Sequence, residues 1–381
     1  MNKQMPASEI LLKLIHAGEC PKDAITASMK STGKDAIGCF PIYAPEEIVY
    51  AAGYLPVGMW GGQTQGSRSD MYLQSFCCSI MKANMEQALS GQYGFLSGVI
   101  ITAFCDTLKC IIEDWKVALP ELDIIPIVYP QNRKSKAGRV FMKEEFQRVQ
   151  HEIERLSGKP VTEQQLAAAV DVYDEYRKTV REFADIVSKH TDLITSRDRH
   201  MIIKAAWFMD KKEYTDMLRT VVEWLESLDE QHAGGKKVIL TGLICEPAEI
   251  YDILAENKLY VAADDLAHES RQFRNETDVS GSAVDRMVER IAEQDGCTFL
   301  YDSSKSRGNV IKELVEKYEA DAVIFCQLKF CDPDEFDYPI IKKEMEAAGI
   351  PMLYLEIEQQ MSSLNQTRTR IQSFAEMLAE Q

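Results

Sequence analysis

The chain has 381 residues, 45% of them hydrophobic, enough to bury a large core and form two or three domains. Its 43 Lys and Arg face 60 Asp and Glu, and the net charge of -17 repels phosphate backbones and anionic membrane surfaces, which excludes nucleic acid and membrane as expected partners. The N-terminal MNKQMPASEILLKLIHAGEC has neither the apolar stretch nor the cleavage site of a signal peptide, so a cytoplasmic location is expected, where ten cysteines stay reduced as metal ligands or inert core residues.

An N-terminal helical segment (1–35) leads into a first α/β domain (36–139). There AIGCFPIY, YLPVGMW, GVIITAF from Gly98 and IIPIVYP from Ile124 read as strands, with a helix at PEEIVYAAG. From 140 to 233 the pattern changes to long amphipathic stretches such as FMKEEFQRVQHEIERL and LAAAVDVYDEYRKTVREFADIVSKH, with apolar residues three and four apart, which predicts a helical bridging segment. A second βα series (234–381) begins at KVILTGLI and continues through LYVAADD, CTFLYDSS, DAVIFC and PMLYLEI, before an amphipathic C-terminal helix in which Arg368 and Arg370 read as solvated. The expected fold is α/β, with two doubly wound, mostly parallel-sheet domains and a helical segment between them. Their similar layout suggests related halves, without a residue-level repeat.

Three cysteine segments stand out: FCCSIM (Cys77, Cys78), FCDTLKC (Cys105, Cys110) and IFCQLKFCDP (Cys326, Cys331). Each abuts an apolar run. Cys105 follows GVIITAF and Cys331 lies just past DAVIF, so both fall in loops at the carboxyl ends of predicted parallel strands, where functional groups collect. A group held by both would sit in the interdomain cleft. Three thiolates and one open position suit an iron–sulfur cluster that does chemistry. The segments are too far apart for a compact ferredoxin spacing, and inert burial is the plainer reading of any single thiol, the one given to Cys20, Cys245 and Cys297.

Other motifs carry less. The six histidines form no HxxxH or HExxH pair, which argues against catalytic zinc, and the cysteines form no CxxC knuckle of the kind a structural zinc site normally uses. GMWGGQTQG departs from the dinucleotide fingerprint and reads as a turn, and there is no GxxxxGK[ST] loop. Pro45 can open a helix with Glu46 and Glu47 at its N-terminus, where they either compensate the dipole or, for Glu47, transfer a proton in the cleft. Asp264 and Asp265 end a predicted strand ahead of His268, Glu269 and Arg271, a polar concentration that either caps the next helix or orients a ligand.

At AIGCFPIYAPEEIVYAAGYLPVGMWGG, CSIM, CDTLKC, DDLAHESRQFR and KFCDPDEFDYP the chain resembles the smaller, β-type subunit of the (R)-2-hydroxyacyl-CoA dehydratases, from about Ala36 to the last helix. The resemblance implies an oxygen-sensitive heterodimer of amino-acid fermentation, with a larger α-type subunit as partner and a separate ATP-hydrolysing iron–sulfur activator that injects one electron. Water is eliminated from a 2-hydroxyacyl-CoA to give the 2-enoyl-CoA. One electron added to the thioester carbonyl gives a ketyl radical anion, which lets the adjacent hydroxyl leave and acidifies the β proton.

Carried over residue by residue, the ligands of a [4Fe-4S] cluster fall on Cys78, Cys105 and Cys331. Cys77, Cys110 and Cys326 are then neighbours, with Cys326 the substitute ligand, and the β-type cluster relays the electron. The family's PEE helix start falls on Glu46 and Glu47, which makes Glu47 a candidate at the intersubunit active site. Flavin accompanies some members, and no residue points to it here. A benzoyl-CoA reductase type subunit and a non-catalytic iron–sulfur electron carrier are the alternative readings.

Overall fold

The computed structural model describes residues 6–276 and 280–380. The first five residues of the expected N-terminal segment lie outside that range. Among the described residues eight strands form two separate four-stranded sheets, every pairing parallel. The first contains β1 (Ala36–Cys39), β2 (Leu55–Gly58), β3 (Leu96–Thr102) and β4 (Asp123–Ile127) in the order β2-β1-β3-β4. The second contains β5 (Lys236–Gly242), β6 (Leu259–Leu266), β7 (Ala322–Leu328) and β8 (Met352–Ile357) in the order β6-β5-β7-β8. Renumbered from its own first strand, the second sheet repeats the first.

Local chemistry accounts for this arrangement. The interior strands β1 (AIGC) and β7 (AVIFCQL) are buried at every position, as expected for parallel strands covered by helices on both faces. Pro56 and Pro126 fall in β2 and β4, the edge strands, where a missing N–H costs no ladder bond. In both sheets the chain winds first to one side of the opening strand and then to the other. The crevice at the carboxyl ends therefore lies between β1 and β3, and between β5 and β7.

Around these sheets the helices run α1 (Ala7–Glu19), α2 (Pro21–Thr32), α3 (Glu46–Ala51), α4 (Ser79–Leu89), α5 (Asp106–Ala118), α6 (Lys136–Ser157), α7 (Glu163–Val187), α8 (Ser196–Ala205), α9 (Lys211–Glu226), α10 (Glu249–Glu256), α11 (Ala283–Ala292), α12 (Arg307–Tyr318), α13 (Asp332–Ala347) and α14 (Asn365–Ala379). Helices α6 to α9 occupy the stretch read as bridging, and α7 and α8 open on capping boxes, Thr162 with Gln165 and Thr195 with Asp198. One continuous apolar core runs through both halves, and a smaller one lies between the second sheet and helices α12 and α13. No described helix is long and apolar enough to cross a membrane.

One expected strand is corrected. CTFLYDSS forms turns, closed by Leu300 N–H donating to the Cys297 carbonyl at 3.1 Å. The run is only four residues long before Tyr301 and Asp302, and PMLYLEI takes the fourth place in the sheet. Its apolar Phe299 lines a pocket instead.

Candidate functional site

Cys78, Cys105 and Cys331, contributed by both halves of the chain, line one cavity. Each is the residue immediately before a helix: Cys78 before α4, Cys105 before α5 and Cys331 before α13. The Cys105 sulfur accepts the Leu108 N–H at 3.4 Å, an N-cap bond made by a thiol. Three helix N-termini thus point their partial positive charge at the same small volume, a setting that favours anions. The remaining wall is largely apolar, from Ile42, Ile80, Met81, Leu108, Leu243 and Phe330.

That wall makes free thiolates costly. Burial pushes the Cys78 thiol up to about 12, and the neighbouring Cys105 and Cys77 add to the rise against the N–H groups of Met81 and Ile80. Burial also raises Cys105, opposed by the N–H groups of Leu108 and Thr107. It lifts Cys331 well above the usual thiol range, with Asp334, Cys78 and Cys105 adding repulsion. A bound thiophilic metal removes this penalty by taking the place of the protons. Three convergent thiols in an apolar, helix-capped crevice fit an iron–sulfur group and do not fit a hard, oxygen-seeking cation.

The other cysteines stand aside from this cavity. Cys77 is buried without lining it and Cys110 is exposed. Cys326 lies within β7 beside Cys245, whose thiol is raised first by its hydrogen bond to Cys326.

Glu47 is placed apart from the thiols. Pro41 and Ile42, in the loop between β1 and α3, line the thiol cavity. The next residues, Tyr43 and Ala44, line a second pocket that holds Glu46, Glu47, Arg177, Lys211 and Arg290. The Glu47 Oε1 accepts from Arg177 and from Arg290, the latter at 3.4 Å. Burial pushes this carboxyl up, but Arg290 and Arg177 outweigh it and hold it below its ordinary range. Among the described residues its Oε2 is buried with no hydrogen-bond partner. Glu46 accepts from the Tyr173 hydroxyl at 2.9 Å and pairs with Lys211 at 3.2 Å.

The DDLAHESR segment is a buried charge network. Asp264 closes the turn after β6 by accepting the N–H groups of Leu266 and Ser270, both at 3.0 Å. Asp265 accepts from three guanidinium groups, Arg271 Nε at 3.0 Å, Arg274 Nη1 at 2.6 Å and Arg307 Nε at 3.0 Å. Arg307 then reaches Asp334 Oδ1 at 2.7 Å, in the first turn of α13, three residues past Cys331. The carboxylate noticed in the sequence therefore braces the helix that presents a thiol. Arg307 itself carried no sequence signal, because its partners come from three separate elements.

Two parallel-sheet halves that present helix-capping thiols to a shared crevice define the class: a two-lobed α/β protein with a candidate thiolate-bound metal centre. The chain belongs to the family described as 2-hydroxyglutaryl-CoA dehydratase, D-component, which matches residues 41–378. It is 42% identical over 360 residues to the (R)-phenyllactyl-CoA dehydratase beta subunit of Clostridium sporogenes, covering 94% of this chain and 96% of that one. The lactoyl-CoA dehydratase subunit beta of Anaerotignum propionicum is 38% identical, covering 97% and 98%. The (R)-2-hydroxyglutaryl-CoA dehydratase subunit beta of Acidaminococcus fermentans is 33% identical, covering 98% and 100%. A benzoyl-CoA reductase subunit of Thauera aromatica is more distant, at 25%.

Proposed function

We propose that this chain is the β-type subunit of an (R)-2-hydroxyacyl-CoA dehydratase, a hydro-lyase that gives the 2-enoyl-CoA, and that Cys78, Cys105 and Cys331 hold a [4Fe-4S] cluster in it. The identity to three dehydratase beta subunits, against 25% for the reductase subunit, favours dehydration over ring reduction. The name "beta subunit" borne by those relatives supports a larger α-type partner, and the family reading adds a separate ATP-hydrolysing activator as the electron source.

The observation that carries the proposal is the meeting of three helix-capping cysteines at one apolar cavity. Bound there, such a cluster supplies one-electron transfer. The chain's own residues do the rest. The N-termini of α4, α5 and α13 stabilise the thiolates and any added negative charge, and Ile42, Ile80, Met81 and Phe330 keep water from the sulfurs. Among the lining residues Asp332 is the one carboxylate. The cavity is thus built to hold charge rather than to move protons, which supports a relay role for this subunit. Glu47 is the proposed proton-transfer group where the partner subunit completes the active site, acting as an acceptor through Oε2 because Arg177 and Arg290 hold it ionised.

Anaerobic purification followed by iron and sulfide analysis tests the assignment. Cys105→Ala or Cys331→Ala removes this subunit's iron and ends turnover by the assembled enzyme, whereas Cys20→Ala keeps both. Full iron content in either of the first two variants rejects the ligand set.

A further inference from the structure

Behind the thiol cavity, three residues that the proposed function leaves unused meet at a point. His200 comes from α8, Glu246 follows β5 and His268 follows β6, and all three are buried. One ligand atom of each lies within 4.8 Å of the others. Among the described residues neither ring nitrogen of His268 has a hydrogen-bond partner, nor does Nε2 of His200, which stands 3.5 Å from Glu246 Oε1. The ring of His268 is held by Trp60 and Trp207, with centroids 4.7 and 6.0 Å away. Buried imidazoles normally satisfy their nitrogens.

The surrounding bonds orient these atoms as the outer partners of a metal site do. His200 Nδ1 bonds Glu269 Oε1 at 2.7 Å, which leaves Nε2 to face inward. Gln359 Nε2 donates to Glu246 Oε2 at 3.1 Å and fixes that carboxylate. Charge points the same way. Among the described residues the buried carboxylates Glu246, Glu269 and Asp264 are met by two permanent cations, Lys204 and Arg199, and by the imidazole of His200, which faces Glu246 and Glu269.

We propose that His200, Glu246 and His268 bind a divalent transition-metal ion of the zinc type. Two imidazoles and one carboxylate form a donor set that such ions accept with one position open. Lys204 shares Glu246 Oε1, but its side chain is partly exposed on a long flexible stem. Lys204 and Glu246 also line a cleft of about 540 Å³, through which the ion enters as the ammonium turns outward. The three ligands come from distant segments, so no local His spacing announces them. The rival occupant is a proton on His200, shared between Glu246 and Glu269.

The test uses anaerobically purified holoprotein and Co²⁺ as the probe at neutral pH. The expected result is one Co²⁺ per chain beyond the iron content, with visible ligand-field absorption that Zn²⁺ abolishes. His268→Ala and His200→Ala remove this uptake while iron content stays full, and Glu269→Gln weakens it by roughly tenfold through loss of the orienting bond. No Co²⁺ uptake by the unaltered protein, or uptake that both histidine substitutions leave unchanged, overturns the proposal and leaves the proton as the occupant. Should either alanine variant lose its iron, X-ray absorption of the unaltered cobalt protein decides: two imidazole ligands support the site, and none rejects it.

Discussion

A carboxylate held between guanidinium groups is most stable while it is charged, and Glu47 is such a group. Glu47→Gln leaves Arg177 and Arg290 buried with one partner fewer and is expected to lower folding stability by about 3 kcal/mol at neutral pH, measured by urea unfolding. The sign with pH follows from the depressed pKa. The contribution is fully present above the ordinary carboxylate value of 4.5 and is lost as the pH falls through the lower folded value, so wild type and variant converge in acid. A difference that grows on acidification would contradict the ion-pair assignment. At this scale the sequence disclosed the thiols better than the carboxylates. Cys105 and Cys331 follow recognisable strands, whereas the residues that decide the state of Glu47 lie far along the chain, on α7 and α11.

At the level of the element, each thiol is only as well placed as the helix it starts. For α13 the brace is Arg307, tied to Asp334, Asp265 and Thr241. Arg307→Met strands the buried Asp334 carboxylate and removes one of the three guanidinium groups on Asp265. It is expected to cost about 3–5 kcal/mol in stability and to speed iron release to a chelator, with helix content by circular dichroism nearly unchanged. Unaltered iron retention would show that α13 holds its position without the brace. Gly242 closes β5 at φ +141°, and a Cβ there would lie 2.2 Å from the Cys326 carbonyl oxygen. Gly242→Ala is therefore expected to lower the melting temperature by several degrees while Gly234→Ala, with open space around it, does not. Helices and interior strands were legible from their periodicity and caps. CTFLYDSS was misread because a short apolar run serves a strand and a pocket wall equally well, and only the tertiary packing separates them.

Across the whole molecule the halves are joined by buried polar clasps as well as by the shared core. Arg133, beyond β4, donates to the Ile291 carbonyl at 2.9 Å and pairs with Asp295 at 3.1 Å. Gln359, beyond β8, donates to the Trp60 carbonyl at 2.8 Å and accepts the Gly62 N–H at 3.1 Å. Unfolding is expected as one calorimetric transition, and Gln359→Ala is expected to lower its midpoint by roughly 5 °C. Two resolved transitions in the unaltered protein would deny the coupling. The suspicion of related halves has its physical form in the shared strand order, in which α5 and α13 occupy equivalent places, so that Cys105 and Cys331 are counterparts. The third thiol has no such twin among the described residues, since the two helices between β6 and β7, α11 and α12, start from Ser282 and Ser306. A half-length precursor meeting its own copy across a twofold axis would already have set two sulfurs opposite each other. Fusion of two such halves would free one copy to carry a sulfur that the other lacks, and so turn a symmetric clasp into a lopsided socket.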